Sequence, residues 1–245
     1  MTTHESLAFI LDTREYRETS SLMRVLTQHD GRVSLVARGV RKTGKPTPAQ
    51  STLQTFNAIR CRYYLKPGAT LGNLQSAELH RSYASIRNSL ESYALISYWF
   101  ELLTHVTREG LPAPEIFALT LHILNTQETH PGLHSDYLHS MIHLCRATGY
   151  AITWQAPAPT PDFFAPDTHY FQLRTGAIQT NSTDGLRLTP DETAIFRALL
   201  SPAPSQEIPS TGALLSVLTL LNRYWIHHLE HPLKTYPFLQ TTLTP

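Results

Sequence analysis

The chain has few cysteines and no long apolar run, and both absences limit what it can be. Cys61 and Cys145 are the only two cysteines in 245 residues, and they lie far apart. Such a pair gives neither a disulfide framework nor a CxxC metal motif, so we expect a reducing, cytoplasmic setting. The longest apolar stretches fall well short of a membrane span, and residues 1–6 do not resemble a secretory signal.

Acidic residues are missing from one long segment near the N-terminus. None occurs between Asp30 and Glu78, and eight basic residues fall there: Arg32, Arg38, Arg41, Lys42, Lys45, Arg60, Arg62 and Lys66. Residues 1–90 contain 13 basic and 6 acidic residues, whereas residues 91–245 contain 7 and 13. The net charge of +1 therefore hides two segments of opposite sign. This asymmetry predicts a polyanionic partner for the first third of the chain.

Recognisable catalytic motifs are also missing from the sequence. It has no P-loop, no GxGxxG after a strand and no GxSxG elbow, and its carboxylates are scattered. These absences count against an enzyme, although a catalytic triad can be assembled in space from distant residues. His139 and His143 have a spacing that can bind zinc, with Cys145 nearby, but no second ligand pair accompanies them. We therefore expect no cofactor and no metal.

The first 80 residues predict a small β-barrel. Asp30-Gly31 and Pro67-Gly68 are typical turn dipeptides, and residues 39–49 predict a basic loop because they combine three basic residues with prolines and glycines. Between these breaks, short apolar or alternating runs predict five strands, at residues 6–11, 21–27, 33–38, 56–64 and 71–79, with a polar turn at 12–18. Five short strands with one long connection favour a closed or partly closed barrel over residues 1–80.

The rest of the chain predicts helices. Apolar residues recur at spacings of three and four in residues 92–106, 112–124, 133–148, 191–200 and 212–229. Gly149 is a predicted C-cap, and Thr189 with Pro190 predicts a helix start. Residues 156–166 contain four prolines and predict an extended connection, followed by a small hairpin at 168–178. We therefore expect an α+β protein whose all-α helical domain, residues 81–245, carries an irregular, proline-rich lobe at 150–188.

The basic barrel predicts a surface that binds single-stranded DNA. Such surfaces combine lysine and arginine near phosphates with aromatic faces for base stacking. The candidate DNA-binding residues are Arg32, Arg38, Arg41, Lys42, Lys45, Arg60, Arg62, Tyr63, Tyr64 and Lys66. Neighbouring strand residues face opposite sides, so either Tyr63 or Tyr64 can belong to the core while the other stacks on a base.

Several segments resemble one known family. The segment AFILDTREYRETSSLMRVLTQHDGRVSLVARGVRK, residues 8–42, resembles the N-terminal signature of bacterial RecO proteins. The segments LQTFNAIRCRYY and LGNLQSAEL continue the likeness. Further on, YALISYWFELLTHV and LNRYWIHHLEHPLKTYPFL resemble the first long helix and the closing helix of that family. The likeness covers nearly the whole chain and is most specific in the first 80 residues.

The resemblance implies an OB-fold followed by a helical domain, in a non-enzymatic, nucleoid-associated DNA repair protein. RecO proteins bind single- and double-stranded DNA and anneal complementary strands. With RecR they help RecA to replace single-strand-binding protein, whose acidic C-terminal tail they recognise. In this sequence Arg32, Arg38, Arg41 and Lys42 fall on the basic barrel motif of the family.

The sequence departs from the family pattern in two places. Many RecO proteins carry four cysteines after a Gly-Tyr pair, but residues 153–184 contain none here, so the zinc-finger-like lobe is expected to lack zinc. Some relatives also place an arginine where the partner's tail binds, and here His139 and Arg146 are the candidates for that role. The alternative function is an OB-fold interaction adaptor that binds an acidic peptide tail without nucleic acid.

Overall fold

The computed structural model describes residues 2–41, 47–66, 69, 71–155, 168–180, 184–201 and 210–244. Two compact units divide the chain, Met1–Pro131 and Gly132–Pro245. The first unit contains a closed five-stranded barrel and four helices, and the second contains four helices and a small sheet among its described residues. The predicted α+β class, with an OB-like barrel before the helical part, is confirmed.

The barrel comprises the five strands expected in the first third of the chain. They are β1 (Thr2–Tyr16), β2 (Ser20–Thr27), β3 (Gly31–Ala37), β4 (Ala58–Leu65) and β5 (Leu71–Arg81). Their order around the barrel is β1-β2-β3-β5-β4, and only the β3–β5 pairing is parallel. Ala8, Ile10, Met23, Val25 and Leu35 fill the interior and are fully buried. Because side chains occupy the interior, a ligand must bind on the outer surface or at the mouth of the barrel.

The first strand is longer than its sequence pattern predicts. Residues 12–18 were expected to form a polar turn, but β1 continues to Tyr16. The pairing with β2 shifts register between Ile10 and Asp12, and the Asp12 carboxylate then binds Arg14 at 2.8 Å and Arg24 at 3.1 Å. The turn prediction was wrong because these polar residues form ion pairs on the strand instead of leaving the sheet.

Two short helices were not predicted. Helix α1 (Pro48–Thr52) begins inside the expected basic loop, because Thr47 and Gln50 form a capping box at its start. Helix α2 (Ala84–Asn88) follows the barrel. The two long helices of the first unit are α3 (Leu90–Val106) and α4 (Pro114–Thr129), which correspond to the helices predicted at 92–106 and 112–124.

The β2–β3 turn packs tightly against the segment between α3 and α4. Gly31 has a φ of +67°, and a Cβ atom at this position would lie 1.8 Å from the backbone oxygen of Leu111. The backbone N–H of Gly110 donates to the carbonyl of Arg32 at 2.8 Å. The guanidinium of Arg32 in turn donates to the Thr107 carbonyl at 3.1 and 3.3 Å. This turn therefore joins the barrel to its helices within the first unit.

The second unit begins with a helix that ends as predicted. Its helices are α5 (Ser135–Ala147), α6 (Pro190–Leu200), α7 (Thr211–Leu229) and α8 (Tyr236–Leu243). Gly149 ends α5 with a φ of +86°, and the Tyr150 N–H donates to the Cys145 carbonyl at 2.8 Å, as in a Schellman motif. Thr189 and Glu192 form a capping box at the start of α6, with Pro190 at the first helical position. Helix α8 was not predicted.

A small sheet and aromatic packing organise the described part of the lobe. The strands β6 (Thr153–Trp154), β7 (Tyr170–Phe171), β8 (Ala177–Gln179) and β9 (Leu186–Arg187) lie in the order β6-β8-β7-β9. The predicted hairpin corresponds to β7 and β8, whereas residues 156–167 of the proline-rich connection lie outside the described residues. The Trp154 ring packs against His169 at 4.8 Å and under the Arg197 guanidinium at 5.1 Å.

The described part of the chain contains neither a candidate metal cluster nor a candidate membrane span. Among the residues that the structure describes, no three or more His, Cys, Asp or Glu side chains gather where an ion could be held. In the same ranges, no helix has the length and apolarity needed to traverse a bilayer.

Candidate nucleic-acid interface

A cleft opens at the end of the barrel where β1 stops and β5 starts. It encloses about 290 Å³, and we call it the mouth cleft. Its lining residues are Tyr16, Arg17, Ser20, Val36, Arg38, Leu71, Gly72 and Asn73. The β1–β2 loop, the end of β3 and the start of β5 therefore meet around one concave surface. In OB-folds, oligonucleotides bind on the β2–β3 face between the β1–β2 and β4–β5 loops, which is this region of the barrel.

Two residues of the mouth cleft were missed from the sequence. Arg17 is exposed in the β1–β2 loop with a φ of +55°, and its guanidinium lies 5.3 Å from the centroid of the Tyr16 ring. Tyr16 is half-buried. This pair combines a cation with an aromatic face, as single-strand binding requires. Neither residue was a candidate, because residues 12–18 were expected to form a polar turn outside the barrel strands.

Arg38 reaches the mouth cleft, as a DNA-binding role requires, and Arg41 supports the adjoining loop. Arg38 is exposed. The Arg41 guanidinium binds Glu15 at 2.7 Å and donates to the Arg17 carbonyl at 3.3 Å, and its backbone N–H donates to the Thr19 carbonyl at 3.0 Å. These bonds fix the loop that presents Arg17 to the cleft.

Three further candidates follow one another on the outer face of β4. Arg60 and Arg62 are exposed and alternate with the buried Ile59, Cys61 and Tyr63. Tyr64 is half-buried and pairs in register with Asn73, which lines the mouth cleft. Directly paired residues on adjacent strands lie side by side on one face. The outer face of β4 therefore continues from the mouth cleft along Tyr64, Arg62 and Arg60.

The electrostatic partners of the two β4 arginines differ. Arg62 forms an ion pair with Glu5 at 3.0 Å, and both side chains are more than half exposed, so this pair contributes little stability and a phosphate can replace the glutamate. Arg60 pairs in register with Leu7 and Glu78, and no carboxylate of the described residues lies within 4.0 Å of it.

Tyr63 belongs to the core and is unavailable for stacking. Its side chain is fully buried, its hydroxyl donates to the Asp30 carboxylate, and its ring stacks on His4 at 5.3 Å. Burial and the Asp30 carboxylate both raise the pKa of the Tyr63 phenol. The sequence prediction left open which tyrosine faces outward, and the strand places Tyr63 inside and Tyr64 outside. Tyr63 is therefore removed from the base-stacking candidates.

Arg32 is engaged within the first unit. It is half-buried, its guanidinium donates two hydrogen bonds to the Thr107 carbonyl, and burial lowers the pKa of that guanidinium. These contacts favour a structural role in the barrel–helix junction over phosphate binding. Lys66 is exposed at the end of β4, whereas Lys42 and Lys45 lie outside the described residues.

The two candidates for binding a partner's tail share one helix of the second unit. His139 is half-buried on α5, with its Nδ1 atom 3.2 Å from the Ser135 carbonyl, and Arg146 is exposed in the last turn. They are seven residues apart and therefore lie two turns apart on one face of α5, with the exposed His143 between them.

Comparison with known proteins gives matches along most of the chain. Residues 1–83 match the family model for the recombination protein O N terminal, and residues 87–237 match that for the recombination protein O C terminal. A DNA repair protein RecO of Synechococcus elongatus is 24% identical over 274 aligned residues, covering 99% of this chain and 96% of that protein. The Pelobacter propionicus protein of the same name is 29% identical, with 95% and 94% covered. That of Actinobacillus pleuropneumoniae serotype 5b is 31% identical, with 69% of each covered.

Proposed function

The chain belongs to the RecO family of DNA repair proteins, and from this premise we propose that it is a non-enzymatic recombination mediator whose barrel captures single-stranded DNA. The observation that carries the proposal is the mouth cleft, which Arg17, Arg38 and Tyr16 line together and in which the Arg17 guanidinium lies over the Tyr16 ring. The two guanidinium groups bind phosphates, and the aromatic ring offers a stacking face that tolerates any base.

The proposed strand path leaves the mouth cleft along the outer face of β4. Tyr64 stacks on a second base, and Arg62, Arg60 and Lys66 contact further phosphates. Arg41 acts mainly by holding the β1–β2 loop, through its bonds to Glu15 and to the Arg17 carbonyl. Lys42 and Lys45 remain candidate phosphate contacts on sequence grounds. Double-stranded DNA binds more weakly in this proposal, because paired bases offer no free face to the tyrosines.

The proposed partners follow from the role of a mediator. The barrel holds DNA strands and anneals them, and with RecR the protein helps RecA to displace single-strand-binding protein. The acidic tail of single-strand-binding protein binds to the second unit, where the His139–Arg146 face of α5 supplies a cation and polar ring atoms. The charge asymmetry supports DNA binding by residues 1–90, which contain 13 basic and 6 acidic residues, whereas the proposed tail contact rests on the local cation Arg146.

An annealing assay tests the proposed function. Complementary oligonucleotides, one labelled, are mixed with the full chain in the presence and absence of single-strand-binding protein, and duplex formation is followed by gel electrophoresis. We expect the protein to accelerate annealing on both naked and coated strands. Binding of an acidic tail peptide without any oligonucleotide binding would instead favour the adaptor function.

Two substitutions of Tyr64 test whether its ring stacks on a base of the bound strand. Tyr64→Ala is expected to weaken binding to a single strand by about 1–3 kcal/mol, since one base–aromatic contact is lost. Tyr64→Phe keeps the ring and should bind like the unsubstituted protein. Fluorescence anisotropy with a labelled oligonucleotide measures both. Equal affinity for the two variants would remove Tyr64 from the strand path, and thermal unfolding checks that the alanine variant is folded.

A further inference from the structure

A second depression on the barrel lies between α1 and β5 and has an apolar floor. The partly buried side chains of Val40, Leu74 and Ala77 pack there against the barrel core, beside the buried Leu53. The depression encloses about 190 Å³, and we call it the α1–β5 groove. Apolar depressions that carry a few polar groups at their rim are typical of ligand sites. One aliphatic or aromatic side chain of a ligand matches this floor.

The backbone of β5 is available along one side of the groove. β3 pairs with β5 only through Leu71, Gly72 and Asn73. From Leu74 onward, the described residues give β5 a single backbone hydrogen-bonding neighbour, which is β4. Gln75, which also lines the groove, falls at a register shift and has no partner residue on β4. An exposed strand edge of this kind pairs readily with an extended segment of another chain.

The rim of the groove is positively charged. Among the described residues that line it, Arg38 is the only charged one and none is acidic. A basic rim attracts carboxylates and repels lysine and arginine side chains. A guanidinium also forms strong paired hydrogen bonds with a carboxylate. The charge therefore selects an acidic occupant.

We propose that the α1–β5 groove binds an extended acidic segment of a partner protein by strand addition to β5. The segment's backbone pairs with β5, one apolar side chain fills the floor, and a neighbouring carboxylate binds Arg38. A DNA strand fits this groove less well, because a phosphodiester backbone neither packs against an apolar floor nor forms strand-type hydrogen bonds with the backbone of β5. This site goes beyond the proposed DNA-binding role and operates without DNA.

The groove and the mouth cleft share one residue, Arg38. Arg38 lines both depressions, so a peptide carboxylate and a DNA phosphate compete for the same guanidinium. Binding of the acidic segment therefore weakens the hold of the barrel on DNA. This consequence rests on the proposed function, whereas the groove itself does not.

The test uses the full chain and a fluorescent peptide with blocked ends, acetyl-Asp-Glu-Leu-Asp-Val-Glu-amide, beside a version in which lysine replaces every acidic residue. We expect saturable binding of the acidic peptide alone, with slower amide hydrogen exchange at residues 74–77. Ala49 is exposed on α1 and lines the groove, whereas Ser51 is exposed on the same helix and does not. Ala49→Glu should weaken peptide binding about tenfold, and Ser51→Glu, which adds the same charge, by about twofold at most.

The outcomes separate this proposal from the proposed function. No saturable binding of the acidic peptide, equal losses in the two variants, or a lack of exchange protection at residues 74–77 would each overturn the groove. Protection of residues 74–77 by an oligonucleotide but not by the peptide would reassign the groove to DNA. Peptide binding with the expected variant pattern, in a protein that binds no oligonucleotide, would support the groove and refute the proposed DNA-binding role.

Discussion

Replacing Arg17 and Arg38 together by alanine is expected to weaken binding to a single-stranded oligonucleotide by about tenfold at moderate salt, because two phosphate contacts are lost. Both guanidinium groups line the mouth cleft, and both side chains are exposed. The loss should be similar for oligonucleotides of different sequence, since phosphates carry no base information. Fluorescence anisotropy titrations at several salt concentrations measure it.

The salt dependence identifies the cause of that loss. Each phosphate contact on a single strand contributes about 0.7 to the slope of log affinity against log salt, so the double variant should have a slope shallower by about 1.4. Arg174→Ala is a suitable control, because Arg174 is exposed in the turn between β7 and β8 and far from the barrel in sequence. An affinity and slope unchanged in the double variant would exclude the mouth cleft as the phosphate site.

Gly31→Ala is expected to destabilise the first unit by about 3 kcal/mol or more, since it adds a backbone clash to an unfavourable φ. The new Cβ atom would meet the Leu111 oxygen at 1.8 Å and the Leu111 carbonyl carbon at 2.6 Å, and both are backbone atoms that cannot rotate away. The clash would also separate the hydrogen-bonded Gly110 and Arg32. Chemical denaturation followed by circular dichroism measures the change.

Gly39→Ala provides a matched control for the backbone conformation. Gly39 has the same φ of +67°, but nothing lies within 4 Å of the position where its Cβ atom would be. In this variant the free energy of unfolding should fall only by the cost of the left-handed backbone conformation, about 1–2 kcal/mol. Equal losses at Gly31 and Gly39 would show that the close approach of the β2–β3 turn to Leu111 does not stabilise the barrel.

Local sequence patterns were sufficient for most of the barrel. In β3 the buried Val33 and Leu35 alternate with Arg32 and Ser34. The Asp30-Gly31 pair before this strand supplies the positive φ that the turn requires. The end of β1 could not be predicted in this way, because a register shift after Ile10 breaks the alternation and ion pairs hold its polar residues. Helix α8 was not predicted, although Pro237 sits in its first turn, where a proline is compatible with a helix.

The candidate site could be predicted only in part. The lack of acidic residues between Asp30 and Glu78 indicated a basic barrel, and Arg38, Arg60 and Arg62 are exposed as expected. Tyr16 and Arg17 reach the mouth cleft because barrel closure brings the β1–β2 loop beside the start of β5, which no local pattern encodes. The structural engagement of Arg32 depends equally on a distant partner, the Thr107 carbonyl.

The most direct test of single-strand capture by the barrel is photochemical crosslinking of the full chain to an oligonucleotide that contains bromodeoxyuridine, followed by peptide mass spectrometry. Stacked aromatic side chains lie against the bases and are therefore the groups that crosslink. We predict adducts on Tyr16 and Tyr64, which the Arg17→Ala, Arg38→Ala double variant should reduce. Adducts confined to residues 132–245, with none in the barrel, would contradict the assignment of DNA binding to this surface.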